Sequence, residues 1–181
     1  MKKLVLLSLM FCVAFAFSAQ AQIKTPAASP KSKLVQDVGL GNVTIEYNRP
    51  SKKGRDIFGG LVPYGEMWRT GANASTKVEF SEDVEVMGQP LKAGKYALYT
   101  IPGEVTWTVV FHKNLSYWGT GGENYNKEED ALRVTVRPIT MPEGVFVETF
   151  IILINNIKPN GADIELLWDD VNVIIPFTVG T

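Results

Sequence analysis

From Leu34 onward the apolar residues fall in short alternating blocks separated by Gly, Pro, Asn and Asp, the pattern of strands that each bury one face. Val43, Ile45 and Tyr47 alternate with Thr44 and Glu46, and Leu132, Val134 and Val136 alternate with Arg133, Thr135 and Arg137. Each block therefore has a dry and a wet side. Further blocks cover residues 77–80, 84–86, 95–101, 107–111, 147–154, 163–168 and 172–178. Met87-Gly88-Gln89-Pro90, Pro102-Gly103-Glu104, Lys158-Pro159-Asn160-Gly161 and Asp169-Asp170 supply turn chemistry between them. No long stripe of helical period interrupts the series. The pattern predicts an all-β fold, an antiparallel β-sandwich of jelly-roll-like character with about nine or ten strands.

Two stretches, 48–74 and 113–131, break the alternation and are expected to form two long loops. Connections of this length inside a compact domain usually carry function or local structure of their own. A helical turn is expected at 56–58 or at 128–132. No internal repeat and no second boundary is visible, so residues 34–181 are expected to form a single domain. Residues 22–33, with Pro26, Pro30 and several small side chains, read as a flexible lead into it.

The first residues have a different character. Lys2 and Lys3 precede an apolar run from Leu4 to Phe17 and then Ala19-Gln20-Ala21, which is the charged start, apolar middle and small-residue cut of a signal peptide. Residues 1–21 are expected to be removed after Ala21, giving a secreted or periplasmic protein. The run of roughly 14 apolar residues falls short of the ~20 that span a bilayer, and no later run is longer, so the mature protein is expected to have no membrane span. Cys12 is the chain's only cysteine and leaves with the leader, so packing alone must hold the domain. The formal net charge is -1, and losing Lys2 and Lys3 makes the remainder mildly acidic. A chain without a broad basic field is not expected to bind nucleic acid.

Candidate chemistry gathers in the two long stretches. The first holds Arg49, Arg55, Tyr64, Glu66, Trp68, Arg69 and Asn73. Guanidinium forks suit carboxylate or phosphate groups, and the two aromatics could wall an apolar pocket beside them. The alternative is a clasp in which Arg55 and Arg69 pair with Asp56 or Glu66 and bond loop carbonyls, pinning a Gly-rich connection across the sandwich. The second stretch groups Tyr117, Trp118 and Tyr125 with Asn114, Glu123, Asn124 and Asn126, a mixture of flat apolar and hydrogen-bonding surface that suits sugar rings. Its alternative is a set of aromatics folded under a surface loop. Gly119-Thr120-Gly121-Gly122 lacks the Lys-Ser/Thr of a phosphate loop.

His112 is the only histidine, which excludes a two-histidine metal centre. No metal site and no cofactor motif is expected. Strand parity groups His112 with Thr108 and Val110, opposite Trp107, Val109 and Phe111, so it is expected to face a groove. A Ser-His-Asp hydrolase would use it as base, but no Gly-x-Ser-x-Gly elbow accompanies it.

Tyr47-Asn48-Arg49-Pro50-Ser51-Lys52-Lys53-Gly54-Arg55, Ile57-Phe58-Gly59-Gly60-Leu61-Val62-Pro63-Tyr64-Gly65 and Trp68-Arg69-Thr70-Gly71-Ala72-Asn73 together resemble the signature of a bacterial family called domain of unknown function 2911. The resemblance continues through Ala93 to Gly103, Trp107-Thr108-Val109, Tyr125, Asp130 and Arg133, and ends in the Trp168 hairpin. It departs at His112, where the family often has Asn, and at Ala74, where a charged residue is frequent. The resemblance implies a secreted or periplasmic all-β domain and carries no established activity. Two functional classes follow. One is a noncatalytic exported module for a small polar or saccharide ligand, or for a cell-envelope protein partner. The other is a hydrolase or isomerase acting in a loop-lined groove.

Overall fold

The computed structural model describes residues 25–180, so the expected leader and its cleavage point lie outside the described residues. One sheet runs, in spatial order, β1 (Lys31–Val38), β2 (Gly41–Asn48), β3 (Thr76–Phe80), β6 (Gly94–Ile101), β7 (Trp107–His112) and β8 (Asp130–Val136). The other runs β10 (Val147–Lys158), β11 (Gly161–Asp169), β12 (Val171–Val179), β4 (Val84–Val86) and β5 (Gln89–Leu91), with β9 (Ile139–Thr140) beside β12. All pairings are antiparallel. Most neighbours are consecutive hairpins, and the β4–β5 hairpin is an excursion from the first sheet into the second.

The alternating residues meet between the sheets. Val43, Ile45, Tyr47, Val78, Phe80, Leu98, Trp107, Val109 and Phe111 pack against Phe150, Ile152, Ile164, Leu166, Trp168, Val173, Ile175 and Phe177 in one continuous core. Each such side chain contributes roughly 1.5–3 kcal/mol relative to exposure, which lets a chain with one cysteine fold without a disulfide of its own. The twelve strands of the described residues include three that the alternation did not single out: β1, β5 and β9. β1 begins at Lys31, inside the stretch read as a lead, because Lys31 and Lys33 bond Glu46 on the neighbouring strand and hold a charged edge in register. β5 contains Pro90, tolerable because it lies at a sheet edge.

No helical turn forms at 56–58. A looped turn stands there instead, with Leu61 N–H donating to Asp56 O and Val62 N–H to Ile57 O while Ile57 is buried. In the second stretch, 3₁₀ turns occur at Gly122–Asn124 and Lys127–Glu129, the latter started by Asn126, whose side-chain oxygen accepts from Glu128 N–H. Among the described residues no helix is long and apolar enough to cross a membrane.

Candidate functional site

The first long stretch is sewn to both sheets, and this creates the site. Near its start, Lys52 N–H donates to Glu148 O and Phe150 N–H to Pro50 O, so residues 50–52 extend the second sheet beside β10. Near its end, Trp68 and Thr100 exchange both backbone hydrogen bonds, so Trp68 extends the first sheet beside β6. Arg49 serves the first seam, its Nε donating to Phe150 O at 3.1 Å. It is a structural tie and is not among the residues lining the cleft described next.

Between the two seams lies a cleft of about 250 Å³ lined by Pro50, Arg55, Val62, Trp68, Arg69 and Trp168, among others. Its floor is the indole pair Trp68 and Trp168, stacked with centroids 5.6 Å apart. Trp68 is 7% exposed and Trp168 1%, so Trp68, expected as a pocket wall, is mainly a core side chain with one surface toward the cleft. Its Nε1 donates to Gly71 O at 3.0 Å, which meets the hydrogen-bonding need of a buried indole.

Both arginines of the cleft are positioned by carbonyls. Arg55 donates from Nε to Lys52 O at 2.9 Å and from Nη2 to Ser51 O at 2.6 Å, and Arg69 donates from Nη1 to Asn73 O at 3.1 Å. The expected partners Asp56 and Glu66 are not used, and no Asp or Glu lines the cleft. A guanidinium carries five N–H donors, so each fork keeps donors beyond those bonds. Next to Arg69, Thr70 adopts φ 50, a left-handed conformation uncommon for a β-branched residue. It is over-determined: Thr70 Oγ1 lies 3.2 Å from Thr100 Oγ1, and Thr70 O accepts from Thr76 Oγ1 at 2.5 Å. Backbone strain of this kind gathers at functional sites.

The second long stretch reaches the same place. Gly119 is buried at φ 62, and a Cβ there would approach Arg69 Nη1 to 3.2 Å. Glycine takes that left-handed conformation without strain and leaves Arg69 in place. Trp118 beside it is 72% exposed, whereas Tyr117 and Tyr125 fold inward over the outer face of the first sheet.

That inward fold corrects the expectation for His112. Parity placed it properly, away from Trp107, Val109 and Phe111, but the side chain is 0% exposed and faces no groove. The stretch 113–131 closes over it. His112 Nδ1 accepts from Asn114 N–H at 3.0 Å, which leaves the proton on Nε2 to donate to Asn126 O at 3.0 Å. The imidazole thus ties both ends of the loop and lies under Tyr117 and Tyr125, with centroids 5.4 and 4.7 Å away. Around it, the Asp130 carboxylate accepts from Tyr125 Oη and Arg133 Nε, and Glu129 accepts from Asn114 Nδ2 at 3.2 Å and Tyr117 Oη at 3.3 Å. Burial, followed by the hydrogen bond to Asp130, pushes the Tyr125 phenol well above its ordinary pKa. Lys77 donates to Ser75 Oγ and Leu115 O, and burial lowers its pKa, with Lys95 adding to the effect. The loop is therefore held from below by satisfied polar contacts, and Tyr125 is a structural member of that set.

Of the candidate residues, the structure brings together Arg55, Trp68 and Arg69 in the cleft, with Asn73 attached through its carbonyl and Trp118 one residue from the Gly119 contact. Tyr64 lines a separate cavity of about 330 Å³ with Asp56, Glu104, Asp169 and Asp170. Glu66 is exposed and does not line the cleft. The residue that pattern reading left out of the site is Trp168, whose only signal was its place in the last hairpin. Among the described residues, no group of three or more His, Cys, Asp or Glu could hold a metal ion.

No curated protein and no solved structure shows significant similarity to the chain. Arg55, Trp68 and Arg69 of the cleft come from the motif-bearing segments 47–55 and 68–73 and Trp168 from the last hairpin, all of which fall inside a match to a protein family over residues 29–177. The chain belongs to the family described as Protein of unknown function (DUF2911).

Proposed function

We propose that the protein is an exported, noncatalytic binding module that takes a small anionic ligand in the cleft between Arg55 and Arg69. The observation that carries this reading is a pair of guanidinium groups lining one concave space with no carboxylate among its lining residues. Two cations facing one cleft repel each other, and a carboxylate or phosphate between them converts that repulsion into charge-assisted hydrogen bonds. The carbonyl bonds to Ser51, Lys52 and Asn73 hold the forks in place beforehand, which reduces the ordering cost of binding. The Trp68–Trp168 floor suits the apolar part of a small polar molecule.

A hydrolase or isomerase would need an acid or base converging on the same point. Asp56 and Asp169 line neighbouring cavities instead, and both nitrogens of His112 are engaged with backbone groups. Export rests on Lys2-Lys3, the apolar run and Ala19-Gln20-Ala21. Its check is the intact mass of the protein recovered outside the cytoplasm, which should correspond to a chain starting at Gln22; a cytoplasmic protein retaining Met1 would refute it.

The binding reading is tested by thermal shift with phosphate and citrate against chloride at matched ionic strength. A ligand at one hundred times its Kd adds about 2.7 kcal/mol, or roughly 5–10 °C in Tm for a chain of this size. Arg55→Ala and Arg69→Ala should lose that response while changing urea stability by about 1 kcal/mol or less, since their bonds are at half-exposed or exposed positions. A loss of about 3 kcal/mol or more in both variants, with no response to any anion in the parent, would instead establish the clasp.

A further inference from the structure

Resting on that anion-binding reading, we propose that the ligand is an acidic saccharide whose carboxylate sits between Arg55 and Arg69 and whose ring stacks on Trp118. The starting point is an asymmetry among the four tryptophans. Trp68, Trp107 and Trp168 are buried at 7%, 2% and 1% exposure, and Trp118 is 72% exposed. An isolated exposed apolar side chain on a loose loop would need no explanation. Trp118 is on a loop tied down on both sides of it.

His112 holds Asn114 and Asn126 at its two ends, Lys77 holds Leu115 O, and Tyr117 Oη bonds Glu129. The residue that follows Trp118 is a left-handed glycine pressed against Arg69 Nη1. The loop therefore turns Tyr117 and Tyr125 inward and presents one indole to solvent, one residue before the Gly119 contact with Arg69. A rigid, exposed indole with two chi angles offers contact area at low entropic cost.

The combination selects a ligand. Simple anions satisfy the arginines and leave the indole exposed. Neutral sugars offer an apolar C–H face to the indole but have nothing for the cations. A hexuronate supplies both at once, a carboxylate for the forks and a ring face for Trp118, on one small scaffold.

The experiment is acrylamide quenching of intrinsic fluorescence, which reads Trp118 selectively because the other three indoles are buried, combined with calorimetric titration. The probes are D-galacturonate and its dimer, D-galactose, and citrate. Galacturonate or its dimer should lower the quenching constant severalfold, galactose should not bind, and citrate should bind without protecting Trp118. Trp118→Ala should weaken galacturonate binding on the order of five- to tenfold and leave citrate unchanged, whereas Arg69→Ala should abolish both. Equal binding of citrate and galacturonate, indifferent to Trp118→Ala, would overturn the saccharide inference and leave the anion site standing. Absence of binding by every anion would remove both.

Discussion

Trp168→Ala should lower the stability of the protein by about 3–5 kcal/mol, the upper range for truncating a core aromatic. Trp168 stacks on Trp68 and also packs against Phe58 and Phe150, with centroids 6.2 and 5.9 Å away. Its Nε1 donates to Glu148 O at 3.3 Å. It lies where the first long stretch joins the two sheets, so its loss leaves a void that backbone on two sides, itself hydrogen-bonded, cannot easily collapse to fill. Urea melts provide the measurement, with Trp118→Ala as the reference. That exposed residue should change stability by about 0.5 kcal/mol or less. Comparable losses in the two variants would show that the aromatic cluster does not organise the core.

His112→Asn should cost about 2–4 kcal/mol, far more than a side chain in an open groove would. Two backbone groups depend on the imidazole, Asn114 N–H and Asn126 O, and the shorter amide of Asn cannot span both. One polar group is then left unpartnered in a buried place, worth about 1–3 kcal/mol, and space opens under Tyr117 and Tyr125. Amide exchange gives an independent readout: Asn114 N–H should lose its protection while the amides of β7 keep theirs. A variant as stable as the parent, with Asn114 still protected, would mean that the loop does not rest on His112.

The difference between the expected and observed settings of His112 shows what an alternating pattern can reveal. Period two assigns a side chain to one face of a sheet, and for His112 that assignment agrees with the structure. It carries no information about what lies above the face. The cover comes from Tyr117 and Tyr125, whose inward turn is set by left-handed glycines at 119 and 121 and by hydroxyls that donate to the Glu129 and Asp130 carboxylates, pairings that no two-residue period reveals.

The same limit applies to the arginines. Arg55 and Arg69 stand out in a Gly-rich stretch, but their partners are Ser51 O, Lys52 O and Asn73 O, which every residue possesses and no composition reveals. Trp168 reaches the cleft only through the register of β11 with β10 and β12, a long-range fact. The sandwich itself was legible because each of its main strands repeats a two-residue pattern. β1 was less so, since its edge position lets Lys31 and Lys33 alternate with half-buried residues.

Side-chain NMR can show whether Arg55 and Arg69 together form an anion site over an indole floor. In a titration of isotopically labelled protein with citrate, the arginine Nε–H signals of Arg55 and Arg69 should move together and saturate at a single Kd, accompanied by the Trp68 indole N–H. The Arg49 signal, tied to Phe150 O outside the cleft, should stay in place. Signals of Arg55 and Arg69 that do not move, or that drift without saturation alongside surface lysines and arginines, would contradict the account and return both residues to the role of loop clasp.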